Sequence, residues 1–154
     1  MFAYAAISIG DILAGFVSQW LKSRKKALYV FYAITAVSIV WFFNLQGSDV
    51  TTLYIVSALL GFGTGFWAIF VTRAAEQFGT NIRATVATTV PNMVRGSLTL
   101  VSLLFTQLQT RVDYVKAGWI TGIVVMVVGI VSVMLAEETY HKDLNYLEHE
   151  IALS

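Results

Sequence analysis

Two charged residues, Asp11 and Arg95, lie inside long apolar stretches of this sequence and are the first candidates for chemistry. Arg95 belongs to the segment NMVRGS, within the otherwise uncharged run 84–108. At about 1.5 Å per helical residue, Arg95 lies roughly 16 Å from the start of that run, and Asp11 roughly 15 Å from the end of the run 2–21. A charge at the middle of a hydrocarbon layer is costly, so it normally faces protein or water and has a partner. The sequence therefore predicts that Asp11 and Arg95 pair with each other.

Polar residues accompany both charges at gaps of three and four, the spacing of one helical face. Around Arg95 they are Thr85, Thr88, Asn92, Thr99, Ser102 and Thr106, and around Asp11 they are Tyr4, Ser8, Gly15, Ser18 and Lys22. Hydroxyl stripes alone are typical of helix packing, and the charged pair has two interpretations. It is a static salt bridge that orders the bundle, or it belongs to a polar site lining a substrate or proton pathway. The second is favoured, and its candidate residues are Asp11, Thr88, Asn92, Arg95 and Thr99.

Composition limits the class of protein. Of 154 residues, 57% are apolar and only 12% are charged, whereas soluble domains carry about 25% charged residues. A net charge of +1 argues against nucleic acid as a partner, and the absence of cysteine excludes disulfides and thiolate metal sites. The signatures HExxH, GxSxG and GxxxxGK[ST] are absent, so neither an enzyme nor a cofactor is predicted. His141 and His149 have no supporting ligand cluster and are interpreted as surface residues.

Five apolar runs have the length of membrane spans, at 2–21, 27–45, 53–72, 84–108 and 117–136. Backbone groups inside a bilayer must bond internally, so such runs have to be helical. The sequence predicts an all-α membrane protein, with five transmembrane helices in 1–136. Residues 137–154 form a cytoplasmic tail, in which Tyr140, Leu144, Leu147 and Ile151 indicate a short amphipathic helix.

Lysine and arginine set the predicted orientation, because short cytoplasmic loops are enriched in them. The first loop holds Lys22, Arg24, Lys25 and Lys26, the third holds Arg73 and Arg83, and the second holds none. We expect a multi-pass protein of the plasma or inner membrane with its N-terminus outside and its C-terminus in the cytoplasm. Within the helices, Gly61 and Gly65 are spaced for close helix approach, and Pro91 predicts a kink.

Two loops are similar to known sequence motifs. The segment EQFGTNIR is similar to E-x-F-P-T-x-x-R, with matches at Glu76, Phe78, Thr80 and Arg83 and with Gly79 in place of proline. The segment GFVSQWLKSRKK resembles G-x-L-[AS]-D-R-x-G-R-[RK]. Gly15, Ser18 and Arg24 fit that pattern, and Gln19, Trp20, Lys22 and Ser23 depart from it. Through these two loops the chain resembles the major facilitator superfamily of transporters, in particular its sugar-porter-like members.

The resemblance implies a partial C-terminal bundle, helices eight to twelve of a twelve-helix secondary transporter. Helices eight, ten and eleven of that fold border the central cavity, which would place Arg95 at the substrate or ion site. The resemblance also implies a cytoplasmic gate formed by Arg24, Lys25, Arg73, Glu76 and Arg83.

The function expected from these features is secondary active transport of a small solute by alternating access. Transport would be coupled to a proton or sodium ion, as in symport, or would proceed by exchange. The implied partners are the solute, the coupling ion, the lipid bilayer and an N-terminal transporter half, and this chain is expected to be a truncated C-terminal piece. The alternative is a free-standing, non-transporting membrane interaction module, in which the charged pair only holds the bundle together.

Overall fold

A computed structural model describes residues 2–45, 49–141 and 145. Over these residues the chain forms six helices and no strand. The helices are α1 (Phe2–Trp20), α2 (Arg24–Phe43), α3 (Val50–Gly63), α4 (Trp67–Glu76), α5 (Thr80–Gln109) and α6 (Tyr114–Leu135).

Four helical stretches are long and apolar enough to cross a membrane, as in a multi-pass membrane protein. They are α1, α2, the 27-residue stretch Val50–Glu76 that contains α3 and α4, and α6. The sequence predicted five. The remaining run, 84–108, does form a helix, since it lies within the 30-residue α5. The polar stripe of α5 lowers its average hydropathy, so α5 is not among the four.

The third predicted span is interrupted where the sequence predicted one continuous helix. Helix α3 ends at Gly63 and α4 begins at Trp67. Glycine has low helix propensity, and three glycines lie at or next to the break, at positions 61, 63 and 65. The break also lets α1 approach closely, because a Cβ at Gly65 would lie 2.7 Å from the Cα of Gly10. The interruption leaves the first N–H groups of α4 free to meet a side chain.

The buried core is formed by four of the six helices. Its fully buried members come from α1, α2, α4 and α6, and are Ala14, Ala27, Leu28, Phe31, Ile69 and Val133. Helix α5 packs against α4 and α6, but its only buried residue is Pro91. Most of the polar and apolar faces of α5 are therefore open.

The turn between α1 and α2 has an unusual residue in a left-handed conformation. Lys22 has φ 47°, in the region that glycine adopts most easily. The turn brings Ser23 to the N-cap of α2, where its side chain accepts a hydrogen bond from the Lys26 N–H at 3.1 Å.

The described part of the predicted amphipathic tail is not helical. Residues 137–139 are irregular, and Tyr140 lies in a turn. Leu144, Leu147 and Ile151, on which that prediction rests, lie outside the described residues.

Candidate functional site

A groove of about 570 Å³ runs between α4 and α5. Its walls combine apolar and polar side chains from both helices, namely Trp67, Ala68, Val71, Thr72, Ala87, Thr88, Pro91, Asn92 and Arg95. Three of the five predicted pathway residues, Thr88, Asn92 and Arg95, lie in this lining. They meet there because they follow one another at gaps of four and three on α5.

Arg95 contacts two neutral side chains in the groove. Its Nη1 donates to Oδ1 of Asn92 at 3.3 Å, and its Cζ lies 5.6 Å from the centre of the Trp67 ring. The ring face attracts the cation through its quadrupole. Trp67 is the first residue of α4, so the guanidinium spans the groove from α5 to the start of α4.

The polar face of α5 is ordered by bonds to its own backbone. The Thr88 hydroxyl donates to the Thr85 carbonyl at 2.9 Å, and the Asn92 amide donates to the Thr88 carbonyl at 3.0 Å. Pro91 lies between them, buried, in the groove wall. Thr99 is exposed one turn beyond Arg95 and lies outside the groove lining.

Asp11 lies at the beginning of α4. Its Oδ1 accepts a hydrogen bond from the Ala68 N–H at 3.0 Å, one of the free N–H groups exposed by the break after α3. A carboxylate is stabilised at a helix N-terminus by those groups and by the helix dipole. Ala68 lines the groove and Asp11 does not.

The predicted ion pair between Asp11 and Arg95 is wrong. Both residues are described, and the structure places the carboxylate on the Ala68 backbone and the guanidinium on Asn92 and Trp67. The prediction treated the third span as an uninterrupted helix. It therefore overlooked the helix N-terminus that competes with Arg95 for the carboxylate of Asp11.

A second polar cluster lies where α1 and α4 end and α2 begins. Nη2 of Arg24 lies 2.8 Å from Oε1 of Glu76. Nη1 of Arg24 donates to the Ser18 hydroxyl at 3.1 Å, and the Thr139 hydroxyl donates to Oε2 of Glu76 at 2.7 Å. We call these four residues, together with Glu138, the ion-pair cluster. The cluster joins α1, α2, α4 and the segment that follows α6.

Glu138 binds the N-terminus of α2. Its carboxylate accepts hydrogen bonds from the Ser23 hydroxyl and from the backbone N–H groups of Arg24, Lys25 and Tyr140. Burial raises the pKa of the Glu138 carboxyl, but these hydrogen bonds outweigh burial and lower the pKa from 4.5 to about 2. The carboxylate therefore stays charged and bound at neutral pH.

The other predicted gate residues bind backbone groups. Nη2 of the buried Arg73 donates to the carbonyls of Ala136 and Glu137 at 3.0 and 2.8 Å, just after α6 ends. Nζ of Lys25 donates to the Met134 carbonyl at 3.2 Å. Both cations thus meet the negative end of the α6 dipole. Arg83 donates to the Phe78 carbonyl at 3.2 Å, in the loop before α5.

Sequence reasoning missed Glu138 and Thr139 as site residues because it assigned them to a surface tail. The segment AEET directly follows the last apolar residue of α6. Because the predicted topology puts this segment on the same side as the basic first loop, a carboxylate near that loop could have been predicted. No metal site emerges, since within 2–45, 49–141 and 145 no three His, Asp or Glu side chains are grouped to hold an ion. His141 is exposed beside the Tyr140 ring, and His149 lies outside the described residues.

Helix α4 connects the two polar regions. Its first residue, Trp67, contacts Arg95 in the groove, and its last residue, Glu76, forms the ion pair with Arg24. Ten residues of helix are about 15 Å long. Any displacement of α4 therefore changes the groove and the ion-pair cluster together.

Comparisons with known proteins give no relative. No family model, curated protein or solved structure matches this chain.

Proposed function

We propose that this chain is the C-terminal part of a secondary active transporter of the major facilitator type, which moves a small solute by alternating access. The observation that carries the proposal is the role of α4. One short helix forms a wall of a polar groove at its beginning and an interhelical ion pair at its end. Alternating access needs such a rigid element, because an opening at one end must be linked to changes around the binding site.

The distribution of polar residues supports the proposal. Helix α5 exposes Asn92, Arg95 and Thr99 along one face, whereas from residue 120 onward the exposed large side chains of α6 are apolar residues such as Ile123 and Val128. Exposed polar residues on a long helix suit a water-filled cavity, and an apolar surface suits lipid. In this arrangement α5 borders the translocation pathway, whose other wall is an N-terminal transporter half.

The basic residues give the proposed orientation. Arg24, Lys25 and Arg73 gather at the end of the bundle that holds the ion-pair cluster. By the positive-inside rule that end is cytoplasmic. The cluster then acts as a cytoplasmic gate that is intact when the pathway is closed on that side, and the coupling ion is a proton or sodium.

Labelling of a single cysteine tests this mechanism without knowledge of the substrate. The chain has no cysteine, so Ala87→Cys places one thiol in the groove lining. In the full-length protein that carries this chain, in intact cells, a membrane-impermeant maleimide should label this variant from outside. Adding Glu76→Gln weakens the cytoplasmic gate, shifts the population toward the inward-open state and slows that labelling.

A matched control separates gating from damage to the bundle. Val124→Cys lies on the exposed apolar surface of α6, which faces lipid in this proposal, so the impermeant reagent should leave it unlabelled with and without Glu76→Gln unless the variant disrupts the bundle. If Ala87→Cys reacts at one rate in both backgrounds, with equal expression, the transporter proposal fails. That result favours the membrane interaction module.

A further inference from the structure

The positive charge of Arg95 is not neutralised by another residue that the structure describes. Asp11, the other charge inside the predicted membrane spans, accepts a hydrogen bond from the Ala68 N–H. None of the side chains that line the groove is acidic. At the mid-depth that the sequence predicts for Arg95, a lone cation is costly unless water or a counter-ion reaches it.

The guanidinium of Arg95 also keeps one edge available. Within the described residues, Nη1 donates to Asn92, and neither Nε nor Nη2 donates to a protein acceptor. Those two N–H groups form the edge that binds a carboxylate through two parallel hydrogen bonds. Arg95 is exposed to the groove, so a small molecule can reach this edge.

The rest of the groove fits an apolar group. Trp67, Val71 and Pro91 supply apolar surface, and Thr88 and Asn92 supply polar atoms beside Arg95. A volume of about 570 Å³ is within the usual range for a small-molecule site. Arg95 is the one charged residue in the lining. A bound monoanion would therefore make the site neutral, whereas a bound phosphate dianion would leave the site with a net negative charge.

We infer that this groove binds a small monocarboxylate with an apolar body, with its carboxylate on the Nε and Nη2 edge of Arg95 and its apolar part against Trp67 and Pro91. This inference rests on the proposed function and names its substrate class. Charge-assisted hydrogen bonds are the strong ones, so loss of the guanidinium should weaken binding by roughly 10- to 100-fold.

Equilibrium binding of radiolabelled benzoate tests the inference in the full-length protein reconstituted in lipid nanodiscs. We expect saturable binding that unlabelled benzoate and butyrate displace and that the neutral isostere benzamide and inorganic phosphate do not. Arg95→Gln should weaken binding by about ten-fold or more, and Arg95→Lys should restore part of it. The control Arg111→Gln, which removes an exposed cation after α5, should bind as the parent does.

Several outcomes would overturn the inference. They are equal displacement by benzamide, displacement by phosphate at similar concentration, unchanged affinity in Arg95→Gln, or no saturable binding of benzoate or butyrate. Thermal unfolding of each variant identifies misfolding, and Arg95→Lys keeps the test valid if Arg95→Gln does not fold. Failure here, with the Glu76-dependent change in Ala87→Cys labelling intact, leaves the transporter proposal standing. Carboxylate binding without that change removes the transporter proposal alone.

Discussion

The guanidinium of Arg24 lies 2.8 Å from the carboxylate of Glu76, although 52 positions separate the two residues. Arg24 begins α2 and Glu76 ends α4, so the contact joins two helix ends. Their side chains are only 19% and 10% exposed. Ser18 and Thr139 complete the hydrogen bonding of the pair. A pair this enclosed depends on both partners, because either charge alone is left poorly solvated.

Glu76→Gln should lower the free energy of unfolding by about 2 to 4 kcal/mol, because it leaves the Arg24 charge without its counter-ion. Arg24→Gln with Glu76→Gln should recover part of that loss. Denaturant-induced unfolding in detergent micelles measures both variants. Lys26→Gln is the matched control, since this exposed side chain lies in the same turn of α2, and it should have little effect. If the double variant were no more stable than Glu76→Gln, the unpaired charge of Arg24 would not explain the loss of stability in Glu76→Gln.

Glu138 makes stability depend on acid pH. Its folded-state pKa of about 2 lies below the ordinary 4.5, so the native state binds its proton less readily than the unfolded state does. The stabilisation is therefore complete above about pH 4.5 and is lost as the pH falls toward 2. Melting temperatures of the parent and Glu138→Gln, measured across this range, should differ most at neutral pH and converge near pH 2. A constant difference would contradict the assignment.

Asp11 and Arg95 should act independently on stability. Asp11→Asn weakens the interaction with the α4 N-terminus and should cost about 1 kcal/mol. Arg95→Gln alters different contacts, so the costs in the double variant should add within about 0.5 kcal/mol. A double-mutant cycle of unfolding free energies measures the sum. A coupling energy well above that limit would indicate a direct interaction between Asp11 and Arg95, contrary to the structure.

Gly61 permits the close contact of α3 with α1. A Cβ there would lie 3.0 Å from the Cα of Ala3 and closer still to its carbonyl oxygen. Gly61→Ala should therefore destabilise the protein by about 1 to 3 kcal/mol through overpacking. Gly15→Ala is the control, since no atom lies within 4 Å of its Cβ position, and it should be neutral or stabilising. Equal melting temperatures of the two variants would count against the contact.

The sequence determined the helical class, the approximate position of every apolar run and the polar face of α5. These follow from local regularities, since backbone groups in an apolar environment must bond within a helix and residues at gaps of three and four share a face. That is why Thr88, Asn92 and Arg95 meet in one groove as their spacing predicted. The basic first loop is likewise evident in the sequence, and Arg24 and Glu76 both belong to the gate that the loop resemblance implies.

Tertiary structure decided which groups are partners. The break between α3 and α4 lies where Gly65 approaches Gly10 in α1, and it frees the N–H group that binds Asp11 in place of Arg95. In the same way, Glu138 binds the α2 N-terminus only because α6 ends beside it. The sequence alone gives the distance of a charged residue from the end of its own helix. Which helix termini compete for that charge depends on packing between segments distant in sequence.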